Sequence, residues 1–331
     1  IWPSVPPVRG TLRLPVQATA AIARDADGTL GQIDFTLAGD NGELAPAGDG
    51  GKPFALAELD ATGVYLPAVE TLRFARVTAA VGSSRLDAKA SVILGTAPML
   101  ALDGTVDALT MTALTRLWPA DLGITVRTWL MEHTREGTLR KCRVQLGLHA
   151  AAAAPDPAAA PSGAPNDPTI AKPDAYDIAC DFDGVTAHYL PPMAPIRAAS
   201  GTARLTADRL EVNVKRGAVG ACMVERGTLA MNLTVDPARA EIAADVNGAA
   251  ADVLALIDAP PLTLVSPLGL TPKDFGGTSR VHAELTLPIK RDVTGREIGV
   301  QANATLTGAS LPPPRPRGHP PSSRATGSRP A

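Results

Sequence analysis

Aromatic residues are scarce in this chain of 331 residues, at 3%, although 45% of the chain is hydrophobic. A thick globular core usually draws on Phe, Tyr and Trp, each of which buries roughly 150–250 Å². The apolar residues here are mostly Ala, Val and Leu. Small aliphatic side chains of this kind favour a thin, curved sheet with one apolar face over a thick core.

The chain also lacks an excess of positive charge and a long apolar run. With 31 Lys and Arg residues against 33 Asp and Glu residues, its formal net charge is -2. This balance gives no electrostatic support for nucleic-acid binding. No apolar run in the chain reaches the ~18 consecutive residues that a membrane-spanning helix requires.

Cysteine is rare, and the common catalytic motifs are missing. The chain has three cysteines, Cys142, Cys180 and Cys222. Their odd number and their spacings of about forty residues fit neither a metal-ligand pattern nor a disulfide framework. We therefore expect three partly buried thiols. Because no Walker A, GxGxxG, HExxH or GxSxG motif occurs, we expect no enzymatic activity and no cofactor.

The densest group of potential metal ligands consists of Asp181, Asp183 and His188. Side chains of these types bind zinc and other ions when they converge on one point. Alternating acidic residues before an Asp-Gly pair are, however, typical of β-turns. We favour a turn at Asp183-Gly184 over a metal site.

Alternating apolar and polar residues, separated by turn dipeptides, indicate β-strands along most of the chain. Ile33, Phe35 and Leu37 alternate with polar residues between Asp27-Gly28 and Asn41-Gly42. Such dipeptides predict hairpin turns, and one apolar face with one solvated face is typical of antiparallel sheets. We predict a mainly β protein, with an extended, curved, repetitive antiparallel sheet and a few short helices.

The clearest alternation lies between residues 209 and 287, and its apolar members are candidates for one continuous apolar surface. These candidates are Leu210, Val212, Val214, Leu229, Met231, Leu233, Val281, Leu285 and Leu287. Such a surface either lines an open groove or fills the closed core of a sandwich. Taken alone, the residue pattern favours the closed core.

Changes in composition divide the chain into four parts. In order, these are a β-rich segment at 1–149, an Ala/Pro-rich linker at 150–174, a second β-rich segment at 175–310 and a disordered Pro/Arg-rich tail at 311–331. Helical inserts are predicted at about 110–133 and 250–267, the first from apolar residues at helical spacing. Strand groups that end in a short helix suggest a repetitive, extended architecture.

Several short motifs stand in a specific order between residues 105 and 311. Arg116-Leu117-Trp118-Pro119 is followed by Arg127-Thr128-Trp129-Leu130 and Glu136-Gly137-Thr138-Leu139, and later by Tyr189-Leu190-Pro191 and Ala259-Pro260-Pro261-Leu262. Together they resemble the central region of the AsmA-like (YhdP-type) envelope proteins of Gram-negative bacteria. The chain departs from that family in its Ala/Pro-rich linker, and it stops where the family continues with more strands.

This resemblance implies a fragment of a long, groove-shaped β-sheet that crosses the periplasm. An N-terminal anchor, expected outside this fragment, would attach the protein to the inner membrane. The apolar face would shield phospholipid on its way to the outer membrane. The alternatives are a structural β protein, such as an adhesin or autotransporter-like stalk with a closed core, and a carbohydrate-active β-helix enzyme, which requires a carboxylate cluster that the sequence does not show.

Overall fold

The computed structural model describes residues 10–24, 26, 28–46, 53–94, 98–118, 123–149, 173–290 and 293–310. Within these ranges the chain forms a single open antiparallel sheet of fifteen strands, which confirms the predicted mainly β fold. The tail predicted at 311–331 lies outside the described residues, as does most of the predicted linker. The last two residues of that linker already belong to a strand.

The strands range from 4 to 17 residues in length. They are β1 (Gly10–Arg13), β2 (Val16–Arg24), β3 (Leu30–Pro46), β4 (Phe54–Leu66), β5 (Thr71–Val81), β6 (Ser84–Ile93), β7 (Met99–Thr110), β8 (Thr134–His149), β9 (Pro173–Ala187), β10 (Ile196–Thr206), β11 (Arg209–Val219), β12 (Cys222–Asn232), β13 (Arg239–Ala249), β14 (Gly276–Pro288) and β15 (Gly299–Ser310). From β3 onward each strand pairs with the next in the chain, while β1 and β2 both pair with β3. Because β8 pairs with β9, the two predicted β-rich segments form one sheet.

Three short α-helices interrupt the strands. Helices α1 (Met111–Leu117) and α2 (Ile124–His133) lie between β7 and β8, and α3 (Ala250–Asp258) lies between β13 and β14. The Thr110 hydroxyl accepts a hydrogen bond of 3.1 Å from the Ala113 N–H and caps α1. Within the helical insert predicted at about 250–267, the α-helix ends at Asp258, because Pro260-Pro261 lacks the N–H donors that would continue it, and a short 3-10 helix follows at Ser266–Leu268.

Both helical inserts leave the sheet at the same rim. Since neighbouring strands are antiparallel, β7 and β13 run in the same direction and end on the same side. We call this side, where the odd-numbered strands from β3 to β13 end, the helical rim. The turns that follow β10, β12 and β14 lie at the opposite rim.

Two dipeptides predicted to be turns are instead irregularities within strands. Asn41-Gly42 lies inside β3. At this point β3 has three residues between Gly39 and Glu43, whereas the facing chain has only two, Leu14 and Pro15, between β1 and β2. Asn41 has a φ of 54°, a left-handed conformation that Asn tolerates. Asp183-Gly184 lies inside β9, which has one residue more than each neighbouring strand at this point. Both dipeptides therefore form bulges, and the chain continues in the same direction.

One face of the sheet is apolar from strand to strand, as predicted. A single row of cross-strand partners runs from β3 to β9 through Phe35, Gly63, Phe74, Ala90, Leu102, Leu146 and Tyr176. Gly63 leaves room for the edge-to-face rings of its two Phe neighbours, whose centroids are 5.5 Å apart, since a Cβ there would lie 2.9 Å from the Phe35 ring. The other face carries exposed ion pairs such as Arg204–Asp177, at 2.6 Å.

Candidate functional site

An apolar cavity of about 450 Å³ lies between the sheet and the three helices. Its walls come from β7 to β15 and from all three helices, and the described lining residues include no charged side chain. Because Val106 of β7 and Val300 of β15 line the same space, the sheet curves toward its apolar face. Protein interiors are normally close-packed, with few voids larger than a water molecule, so this volume marks the candidate site.

The helices form the wall opposite the sheet. On α2, Val126, Trp129 and Leu130 share one helical face and line the cavity. On α3, Val253 and Leu256 do the same, and both Val126 and Val253 are almost completely buried. These helices pack apolar side chains over the sheet.

Two closely packed clusters of buried side chains flank the cavity. One includes Leu205, Leu210, Met231, Ala240 and Leu287 beside the turns at the rim opposite the helical rim, and it extends to Val126 of α2 and to Leu190 and Met193 after β9. The other contains Val219, Cys222, Val224, Val246, Val253 and Val281 and lies at the helical rim. The cavity therefore occupies the middle of a curved sheet whose two rims are filled by the protein's own side chains.

Six of the nine predicted surface residues line this cavity. They are Leu210, Val212, Val214, Leu229, Val281 and Leu285. Met231 and Leu287 are instead buried in the cluster at the far rim, at 0% and 4% exposure, and Leu233 packs against that cluster after β12 has ended. The residues 231, 233 and 287 thus belong to closed packing rather than to the cavity wall.

Sequence reasoning missed most of the wall. Val144 and Leu146 of β8 and Ile178 of β9 line the cavity together with the helices. These residues of β8 and β9 alternate with polar residues in the same way as the predicted residues between 209 and 287. Applying the same alternation rule to β8 and β9 would have found them. The helical spacing of the α2 residues was visible in the sequence, but the spacing does not show which surface a helix covers.

The prediction of three free thiols is wrong for two of the cysteines. Cys142 of β8 and Cys180 of β9 form a disulfide, with Cα atoms 4.1 Å apart. Both sulfur-bearing residues line the cavity. They are 38 residues apart in sequence, and they become neighbours because β9 returns to pair with β8. Cys222 is free and buried, and burial raises the pKa of its thiol.

Two tyrosines near the cavity are also affected by burial. Desolvation raises the pKa of Tyr189 to about 12, with a smaller contribution from Cys222. Burial likewise raises the pKa of Tyr176, and the charge of Asp208 adds to that effect. Both phenols therefore stay protonated at neutral pH, so the cavity wall remains uncharged.

The potential metal ligands do not converge. The Asp183 carboxylate lies 3.5 Å from the Arg216 guanidinium and is about half exposed. The backbone N–H of His188 donates to the His133 carbonyl at 2.8 Å, where the connection after β9 meets the end of α2. Within the described ranges, no group of three His, Cys, Asp or Glu side chains is arranged to hold a metal ion.

The apolar face is less covered toward the N-terminal end of the sheet. The helices pack mainly against β7, β8, β13 and β14. Arg116 of α1 reaches further, with its guanidinium carbon 4.1 Å from the centroid of the Phe54 ring in β4. On β3 the inward residues Ile33, Phe35 and Leu37 remain partly exposed. The covered cavity therefore continues into a more open apolar groove.

Comparisons with known proteins add no further identification. No family model, curated protein or solved structure matches this chain. In the part of the chain that the structure describes, none of the helices has both the length and the apolar character needed to cross a membrane. The family resemblance therefore depends on the sequence motifs, and the candidate function on the geometry of the apolar face.

Proposed function

We propose that this chain is a fragment of an AsmA-like (YhdP-type) envelope protein that shields phospholipid between the inner and outer membranes. Acyl chains would lie against the apolar face of the sheet, and no chemical step is involved. The observation that carries this proposal is the uncharged cavity of about 450 Å³ between the sheet and the helices. Its volume falls within the range typical of small-molecule sites.

The energetic cost of leaving this cavity empty supports an apolar ligand. The cavity of about 450 Å³ is partly open rather than fully enclosed, so without a ligand part of its apolar wall lies against water, which is unfavourable. An acyl chain in the cavity would restore the missing contacts, whereas water would find almost no hydrogen-bond partners there.

The disulfide supports the proposed location in the periplasm. Disulfides form and persist in oxidising compartments, of which the bacterial periplasm is one. The bond between Cys142 and Cys180 fits such a compartment. Attachment to the inner membrane, through an anchor outside this fragment, follows from the family resemblance.

A structural β protein with a closed core is the second candidate. The two flanking clusters favour it, because residues such as Met231 and Cys222 are buried by other side chains and do not line the cavity. In such a stalk the helices would only cover the apolar face of the sheet, and the cavity would be a packing defect without a ligand. The two functions differ in whether a lipid occupies the cavity.

The test is to place a charge on each face of the same strand. Val212 lines the cavity, and its neighbour Asn213 is exposed on the other face of β11. The Val212→Asp variant should lose phospholipid, because a carboxylate beside acyl chains must be desolvated or neutralised. The Asn213→Asp variant should retain it. Lipid is measured by native mass spectrometry of protein exported to the periplasm and by crosslinking to a photoactivatable phospholipid.

The outcomes separate the two candidates. Phospholipid bound to the wild-type protein and to Asn213→Asp, but lost from a folded Val212→Asp, supports lipid shielding. A lipid-free wild-type protein would favour the stalk. Unfolding of Val212→Asp would also favour the stalk, because burying an unpaired charge in a closed core costs several kcal/mol.

A further inference from the structure

Arg127 is a partly buried cation without a partner in the described chain. It lies on α2, one residue after the fully buried Val126 and two residues before Trp129. Its Nε atom is inaccessible to solvent and makes no hydrogen bond. The described residues also provide no ion pair to its guanidinium group. This position contrasts with exposed arginines such as Arg76, whose guanidinium lies 2.7 Å from the Asp87 carboxylate.

A desolvated guanidinium donor is costly when it is unpaired. The group stays charged under all ordinary conditions, and burying a charge without a counter-charge is strongly unfavourable. Its planar fork of N–H donors matches the oxygens of a carboxylate or a phosphate. An anion that binds from outside the chain would therefore satisfy Arg127 better than any group that the described chain supplies.

Arg127 also lies on α2, the helix that forms part of the wall of the apolar cavity. Val126, Trp129 and Leu130 on the same helix line that cavity, and Arg127 itself does not. An amphiphile with its chain between sheet and helices would thus have its polar end near this guanidinium. We infer that Arg127 binds the anionic head group, a phosphate or carboxylate, of an amphiphile whose acyl chain fills the cavity. The inference rests on the proposed lipid-binding function.

The experiment compares ligands that share a chain and differ in charge. An uncharged fluorophore, N-phenyl-1-naphthylamine, is bound to the delipidated full chain and displaced by dodecanoate, dodecyl phosphate or methyl dodecanoate. Charge-assisted hydrogen bonds contribute about 1.5–3 kcal/mol, so the two anions should bind roughly ten- to a hundred-fold more tightly than the ester. In Arg127→Gln this advantage should disappear while binding of the ester is unchanged.

Controls distinguish a head-group site from other roles of this arginine. Arg239, exposed on β13, provides the matched variant Arg239→Gln, which should behave like the wild type. The charge preference of the wild type is itself a test that needs no variant, so misfolding of Arg127→Gln does not leave the inference open. Arg127→Lys should retain part of the preference, since its charge remains.

Three results would overturn the inference. Equal affinities of the wild type for the ester and the anions would exclude a head-group site while leaving the proposed function intact. Equal weakening of the ester and the anions in Arg127→Gln would indicate a structural role. Inorganic phosphate that abolishes the preference at concentrations similar to dodecyl phosphate would indicate a site for free anions. Failure of every amphiphile, including the ester, to displace the fluorophore would instead reject lipid binding itself.

Discussion

Filling the cavity with protein should stabilise the fold and exclude its ligand. Ala244 of β13 lines the cavity, and its partners across the sheet are Gly227 and Ala283. The three neighbouring residues are small, so a larger side chain has space to enter. We therefore predict that Ala244→Leu increases the free energy of unfolding of the delipidated protein.

The magnitude follows from the added apolar groups. Leu has three more carbon atoms than Ala, and each buried methylene contributes about 0.8 kcal/mol, so the gain should be about 2 kcal/mol. The same side chain would occupy part of a cavity of about 450 Å³. Affinity for an acyl chain should fall as stability rises, which is the opposite of what damage to the fold would produce.

The control lies on the same face of the same strand. Ala240, four residues before Ala244, is 1% exposed and belongs to the packed cluster at the far rim. Ala240→Leu should destabilise the protein by about 1–3 kcal/mol, the usual cost of overpacking. Urea unfolding gives both free energies, and displacement of an uncharged fluorophore gives the ligand affinity. If Ala244→Leu lowered the free energy of unfolding as much as Ala240→Leu does, the cavity beside Ala244 would have no room for a larger side chain, and the reasoning would be refuted.

Two further predictions concern the disulfide and an Asp–His pair on the solvated face. Replacing Cys142 and Cys180 together by Ser should lower stability by about 4 kcal/mol, the chain entropy for a separation of 38 residues; an unchanged urea midpoint would contradict this. The hydrogen bond from His282 to Asp245, at 2.7 Å, raises the pKa of His282. Its stabilising effect should therefore be complete below about pH 6.5 and disappear as the pH rises through the raised pKa. His282→Gln should lower the urea midpoint at about pH 5.5 and not at about pH 8.5, and equal effects at both values would exclude the pair as the cause.

The fold class was predictable because strand periodicity is a local property. Leu210, Val212 and Val214 point to one side of β11 whatever the strand packs against. The predicted turn at Asn41-Gly42 failed for a non-local reason. The same dipeptide is compatible with a hairpin turn or a bulge. A bulge forms here because Pro15, which lacks an N–H, interrupts the chain that pairs with β3 between β1 and β2.

The candidate site was only partly predictable. Periodicity placed Leu229 and Met231 on the same face, but it could not show that one lines a cavity while the other is fully packed. That difference depends on where the helices cover the sheet. The pairing of Cys142 with Cys180 was equally non-local, because it depends on how the chain returns after residue 149. The orphan Nε of Arg127 has no signature in the sequence at all.

The sequential order of the strands has a consequence for how the protein is assembled. From β3 onward every strand bonds to the strand before and after it in the chain, so each new hairpin can dock on a template that already exists. Stability in such an arrangement is close to a sum of terms between nearest neighbours. Loop closure between distant segments, which slows most β proteins, is largely avoided. The same architecture can thus be lengthened by pairs of strands without rebuilding what precedes them, and the length of the groove becomes an independently adjustable property.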